Sequence, residues 1–137
     1  MSEQTPGSEP AISAAIITHE GKVLMVRRRV KEGSLSWQFP AGEVESGESA
    51  SEAASREARE ETGLNVSADK VLGERVHPNT GRTMIYVACA VESGSASVVD
   101  DEELDAIAWV SLAEIPEYVP YGLFGPVQEH LDSTLSK

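Results

Sequence analysis

The sequence predicts an α/β fold of the α+β kind, one central mixed sheet covered by helices on both faces. Three observations point there. Apolar runs of strand length recur along the chain, one strongly capped helix interrupts them, and an amphipathic stretch closes the sequence. At 137 residues, 40% hydrophobic and 25% charged, the chain has the size and make-up of a single globular domain.

Residues 1–10, "MSEQTPGSEP", read as a short disordered leader, and residues 11–137 as the domain. "AISAAIIT" (11–18) and "KVLMVRR" (22–28) read as strands joined across "HEG", with Gly21 in the turn. "VKEGSLS" is a polar loop, and "WQFP" (37–40) a short aromatic strand stopped by Pro40. A helix is predicted over 49–62. Ser49 and Glu52 offer a capping box, Ala50, Ala53, Ala54 and Ala58 form a narrow apolar stripe, and Gly63 ends it.

Beyond the helix, 71–78 and 82–91 read as strands, the second buried on both faces. "ESGSAS" is a turn, 98–105 is acidic, and "AIAWVS" (106–111) is a further strand. "LAEIP" suggests a helical turn, and "GPVQEHLDSTL" a closing amphipathic helix.

Composition excludes several function classes. A net charge of −12 opposes nonspecific binding to nucleic acid or an anionic membrane. No apolar run approaches the roughly 20 residues of a membrane span, and the N-terminus lacks a signal-peptide pattern. The lone Cys89, inside "MIYVACAV", fits a buried thiol and a cytoplasmic location. Small phosphorylated molecules remain open as partners, because a metal ion can reverse the local field.

The stretch from Gly42 to Leu64 holds seven glutamates and two arginines. On the helix, Glu57, Glu60 and Glu61 stand at i, i+3 and i+4 and share one face. Arg56 and Arg59 are expected largely on other faces, so three like charges are left uncompensated. A hard divalent cation, Mg²⁺ or alternatively Mn²⁺, is the partner such oxygen ligands suit.

The full spacing, Gly42, Glu48, Arg56-Glu57, Glu60-Glu61, Gly63 and Leu64, resembles the signature of the Nudix hydrolase family, G-x5-E-x7-R-E-U-x-E-E-x-G-U. Eight of its nine specified positions match; Ala58 departs, small where a bulky aliphatic is usual, which is expected to loosen packing under the helix. The resemblance implies a Nudix-type α/β/α sandwich and metal-dependent hydrolysis of nucleoside diphosphates linked to another group. It implies metal ligands at Glu57, Glu60 and Glu61, with the backbone at Gly42. Glu48 and Arg56 are implied to orient the loop and the ligating carboxylates, and one of the glutamates to act as general base.

The resemblance also implies a further carboxylate ahead of Trp109, for which Glu103 is the candidate and Glu102 the second choice. It implies a phosphate-binding arginine at Arg28, with Arg27 as the neighbour that could take its place. Trp37 and Phe39 belong to the core or to a base-stacking wall, and His77 beside Arg82 is a pocket candidate. The compact chain looks like the MutT-type branch, which turns nucleoside triphosphates into monophosphate and pyrophosphate. "PAGE" at 40–43 and Pro78 instead resemble ADP-ribose and nucleotide-sugar pyrophosphatases. A nucleotide-binding sensor without turnover is the third reading. No basic track or aromatic platform suggests long nucleic acid. The expected partner is a small nucleotide, bound by a monomer or homodimer.

Overall fold

The computed structural model describes residues 9–29, 35–78 and 80–135. Most of the expected leader and of the polar loop after the second strand therefore lies outside the described residues. Glu9 and Pro10, its last two residues, are tied down instead. Arg82 donates to the Pro10 carbonyl at 2.7 Å and pairs with the Glu9 carboxylate at 3.2 Å.

The strands are β1 (Ile12–His19), β2 (Lys22–Arg29), β3 (Leu35–Gln38), β4 (Ala41–Glu43), β5 (Asn65–Val76), β6 (Thr83–Ser93) and β7 (Leu104–Val110). The helices are α1 (Ala50–Thr62), the single turn α2 (Ile115–Tyr118) and α3 (Gly125–Thr134). The sheet runs β3-β2-β1-β6-β5, with β7 on β2 and β4 on β1. Only β1 and β6 pair in parallel, which makes the sheet mixed, as expected.

Two departures from the sequence reading have plain causes. β5 begins at Asn65, six residues before its expected start, because Val66 and Ala68 alternate inward between polar neighbours and the whole stretch pairs with β6. That alternation is short, and Asp69-Lys70 hides it. β4 was not anticipated at all. It is three residues long and exists by pairing Ala41, Gly42 and Glu43 with Ala14, Ser13 and Ile12.

The sheet separates two cores. Ala14, Ile16, Met25 and Tyr86 pack with α2 and α3 through Ile115, Val127 and Leu131. Ala15, Ile17, Leu24 and Val87 pack with α1 through Ala54 and Ala58. Neighbouring β1 residues thus serve opposite faces, as a strand's alternation requires. Ala58 is completely buried in the second core, so the small residue marks a close approach of helix and sheet. The expected looseness is absent. Cys89 is buried in the same core, and burial pushes its thiol up to about 12.

α1 is fixed at both ends. Ser49 Oγ accepts from the Glu52 amide at 3.0 Å while Glu52 accepts from the Ser49 amide at 2.9 Å. Gly63, at φ 81°, closes the helix by donating to the Arg59 carbonyl at 2.9 Å. Ser13, buried on β1, reaches the Ala50 carbonyl at 2.7 Å and docks the first turn on the sheet. Removing the cap by Ser49→Ala is expected to lower unfolding stability by about 1 kcal/mol. Urea titration checks this; an unchanged midpoint would show that packing alone holds the helix start.

Candidate active site

β1 pairs with β2 only near the hairpin, at Thr18↔Val23 and His19↔Lys22, and its first half pairs with β4 instead. The sheet therefore parts between β1 and β2. A cleft of about 890 Å³ opens there, lined by Arg28, Gly42, Glu57, Glu60 and Glu61 on one side. Its other walls carry Trp37, Phe39, Met84, Tyr86 and Phe124. That volume suits a small-molecule ligand.

Glu61 is almost fully buried. Its two oxygens accept from Arg28 Nη2 at 3.0 and 3.1 Å. Burial nevertheless pushes its carboxyl up to about 7, outweighing the Arg28 charge, and nearby Glu57 adds to the rise. Arg28 also donates to Glu103 Oε1 at 2.8 Å, so Glu61, Arg28 and Glu103 form one chain across the cleft. Glu103 is largely exposed and lines the cleft; Glu102, the second choice, does not.

Arg27 is a correction. Its guanidinium is held by Asp105 through bonds of 2.8 and 3.1 Å and lies over the Trp37 ring. Strand alternation and a register shift between Arg27 and Arg28 in the β2–β7 pairing separate the two side chains. Of these two, Arg28 lines the cleft and Arg27 does not.

Arg56 is the second correction, because it does not turn away from the glutamate face. Nε and Nη2 grip the Glu48 carboxylate at 2.8 and 3.0 Å, and Nη2 also reaches the Glu43 carbonyl at 2.9 Å. Nη1 donates to Glu57 at 2.9 Å and to Glu60 at 3.1 Å. The Arg56 contact, joined by the Glu45 amide, holds the Glu48 carboxyl down to about 2. Arg59 is exposed, as expected. So the loop and the helix are locked together through one guanidinium.

Glu57 is mostly buried, and burial raises its carboxyl above the ordinary value despite Arg56. It rests against Gly42, where any Cβ would collide with its carboxylate. Glu60 is about half exposed at the cleft rim. Among the described residues, no three acidic, histidine or cysteine side chains converge into a ready cation cage. Arg28 and Arg56 lie among these carboxylates instead. The donor set still fits a hard divalent cation. It is all oxygen, Glu57 and Glu61 are largely withdrawn from water, and the glycine cradle leaves room for Glu57 against the backbone.

Trp37 and Phe39 pack on the α3-side core and also line the cleft. His77 lines it too, its amide donating to the Arg82 carbonyl at 2.8 Å. Arg75, Tyr121 and Phe124 also line the cleft and were missed. They come from the end of β5 and the loop before α3, and no spacing in the sequence ties them to the glutamates.

Gly42→Ala is expected to leave the protein folded but cut any metal-dependent turnover about 10- to 100-fold by displacing Glu57. Gly125→Ala, where nothing meets a Cβ, is the matched control. Arg56→Lys should show a loss of similar size, because three ammonium donors cannot serve five bonds. Steady-state rates of the three variants decide both points, and wild-type rates in Gly42→Ala would remove Glu57 from the site.

Comparison with known proteins agrees with this geometry. A family profile described as the NUDIX domain matches residues 7–127. Phosphatase NudJ of Escherichia coli (strain K12) is 32% identical over 113 residues, covering 78% of this chain and 72% of that protein. Nudix hydrolase 2 of Arabidopsis thaliana is 29% identical over 108 residues, 75% of this chain but only 39% of the longer plant protein. Among solved structures, the MutT protein from Methanosarcina mazei Go1 superposes with a TM-score of 0.66 at 25% identity, covering 90% of this chain and 93% of that one. An ADP-ribose pyrophosphatase from Streptococcus suis shares the fold, with a TM-score of 0.71 at 24% identity, over 97% of this chain and 95% of that one. Signature, sheet parting and carboxylate cleft thus coincide with the family match: the chain belongs to the Nudix hydrolase family.

Proposed function

We propose that this chain is a divalent-metal-dependent pyrophosphohydrolase that cleaves nucleoside triphosphates to monophosphate and pyrophosphate. The observation that carries the reading is the single cleft. It joins a desolvated carboxylate and arginine end, suited to metal and polyphosphate, to an aromatic end suited to a base. Likeness to a MutT protein supports triphosphates within the wider class of nucleoside diphosphate derivatives.

Nudix hydrolases generally use a divalent metal, and Mg²⁺ is the ion proposed here. Glu57, Glu60 and Glu61 would hold it with the backbone at Gly42, and Glu103 would join from across the cleft. A cation held there would supply charge neutralisation at phosphoryl oxygens and lower the pKa of a water for attack on phosphorus. Arg56 and Glu48 keep the carboxylates aligned. Arg28, bonded to Glu61 and Glu103 and lining the cleft, would be the residue to bind a phosphate oxygen. The reaction consumes one water, breaks one phosphoanhydride bond and releases one proton.

The second reading, an ADP-ribose or nucleotide-sugar pyrophosphatase, rests on the Pro40–Glu43 stretch and Pro78. One assay separates the two. The purified protein is incubated with Mg²⁺ and canonical and oxidised nucleoside triphosphates, ADP-ribose and nucleotide sugars, and the products are identified. Monophosphate with pyrophosphate is expected. AMP with ribose 5-phosphate from ADP-ribose alone would replace the first reading by the second. Binding without turnover across the panel would leave a sensor.

Two variants test the residues. Glu61→Gln is expected to reduce turnover by about 100-fold or more with the fold intact. Glu103→Gln should raise the Mg²⁺ concentration needed for half-maximal rate; an unchanged titration would remove Glu103 from the site.

A further inference from the structure

One cleft arginine, Arg75, remains to be accounted for. Arg75 lies next to the last residue of β5 and lines the cleft wall. Its Nε–H donates to the Tyr86 hydroxyl at 3.2 Å. Its guanidinium carbon lies 5.0 Å from the Phe124 ring centroid and 5.8 Å from that of Tyr86. The guanidinium is therefore fixed at its inner edge and backed by two rings. Its outer edge, Nη1 and Nη2, makes no hydrogen bond or ion pair among the described residues. Arg28, Arg56 and Arg82, the other cleft arginines, each hold glutamates. In a chain with 23 acidic residues and 11 basic ones, a cleft arginine without an acidic partner is a conspicuous exception.

Register gives the spacing of its backbone from the Gly42 cradle. Arg75 pairs with Met84, Met84 with Ile12, and Ile12 with Glu43, beside the Gly42 cradle. Three strand spacings amount to about 14 Å. On the proposed function, with the phosphates at the carboxylate end, the base of the nucleotide extends toward Arg75. A cleft-lining guanidinium fork of parallel N–H donors matches two adjacent acceptors in one plane. Guanine presents such a pair at N7 and O6, and cytosine at N3 and O2. Adenine and thymine alternate donors with acceptors on their edges.

We propose that Arg75 is a specificity-determining residue that reads the nucleotide base, favouring guanine and cytosine over adenine and thymine. The inference rests on the nucleotide-hydrolase reading for the direction of the substrate, and its test is separable from that reading. Ratios of kcat/KM are measured for dGTP, dCTP, dATP and dTTP with wild type, Arg75→Lys and Arg75→Gln. The lysine variant keeps the charge but not the fork. Wild type should prefer the guanine and cytosine nucleotides by about 5- to 150-fold, the worth of one bidentate pair, and both variants should collapse that ratio. A wild type without preference, a ratio that survives in Arg75→Lys, or an equal loss on all four nucleotides would overturn the assignment. Calorimetric binding of GMP and AMP to the full chain needs no turnover. Tighter GMP binding that depends on Arg75 sustains the inference even if hydrolysis fails, and equal binding overturns it.

Discussion

The Arg56 guanidinium is the interaction on which the site depends. All five of its N–H donors are engaged, by Glu48, Glu57, Glu60 and the Glu43 carbonyl. Those partners belong to β4, the loop after it and the cleft-lining face of α1. Without that link, nothing else described would hold the loop glutamate against the helix, and like charges at i, i+3 and i+4 would repel. The guanidinium turns an acidic cluster that resists folding into a rigid one. Its geometry explains why arginine stands there, since a lysine offers fewer donors and no planar fork.

Burial sets the chemistry that this rigidity makes useful. Glu61 and Glu57 are withdrawn from water, and both carboxyls sit above their ordinary range even though each touches an arginine. A group in that condition gains more from a divalent cation than an exposed carboxylate does, because little water must be given up. The same logic reconciles a net charge of −12 with a polyanionic substrate: positive charge at the meeting point is required, and Arg28 supplies part of it.

The parting of the sheet is what lets these groups meet a ligand. α1 packs on one face, whereas the aromatic wall formed by Trp37, Phe39 and Phe124 belongs to the other. Had β1 and β2 paired along their full length, the sheet would separate the glutamates from that wall. β4 takes over the first half of β1 and turns the backbone at Gly42 so that Glu57 can lie against it.

Much of this was legible in the sequence. The capped helix, the hairpin and the glutamates from Glu48 to Glu61 follow from local periodicity and from one spacing pattern, because each is specified within about 25 consecutive residues. Long-range pairing decided the rest. β4 exists only through β1, and β5 is longer than its apolar core because β6 supplies its partners. Arg28 and Arg27, adjacent in sequence, were separated by strand alternation, one sent to Glu61 and the other to Asp105. Arg56 was misjudged because helical position gives direction but not the reach of a long side chain toward a loop. The sequence by itself determined the run of carboxylates on α1 and the helical face they share. Which charges oppose them, and which far residues share their cleft, only the tertiary structure decided, since those contacts join residues that no local rule connects.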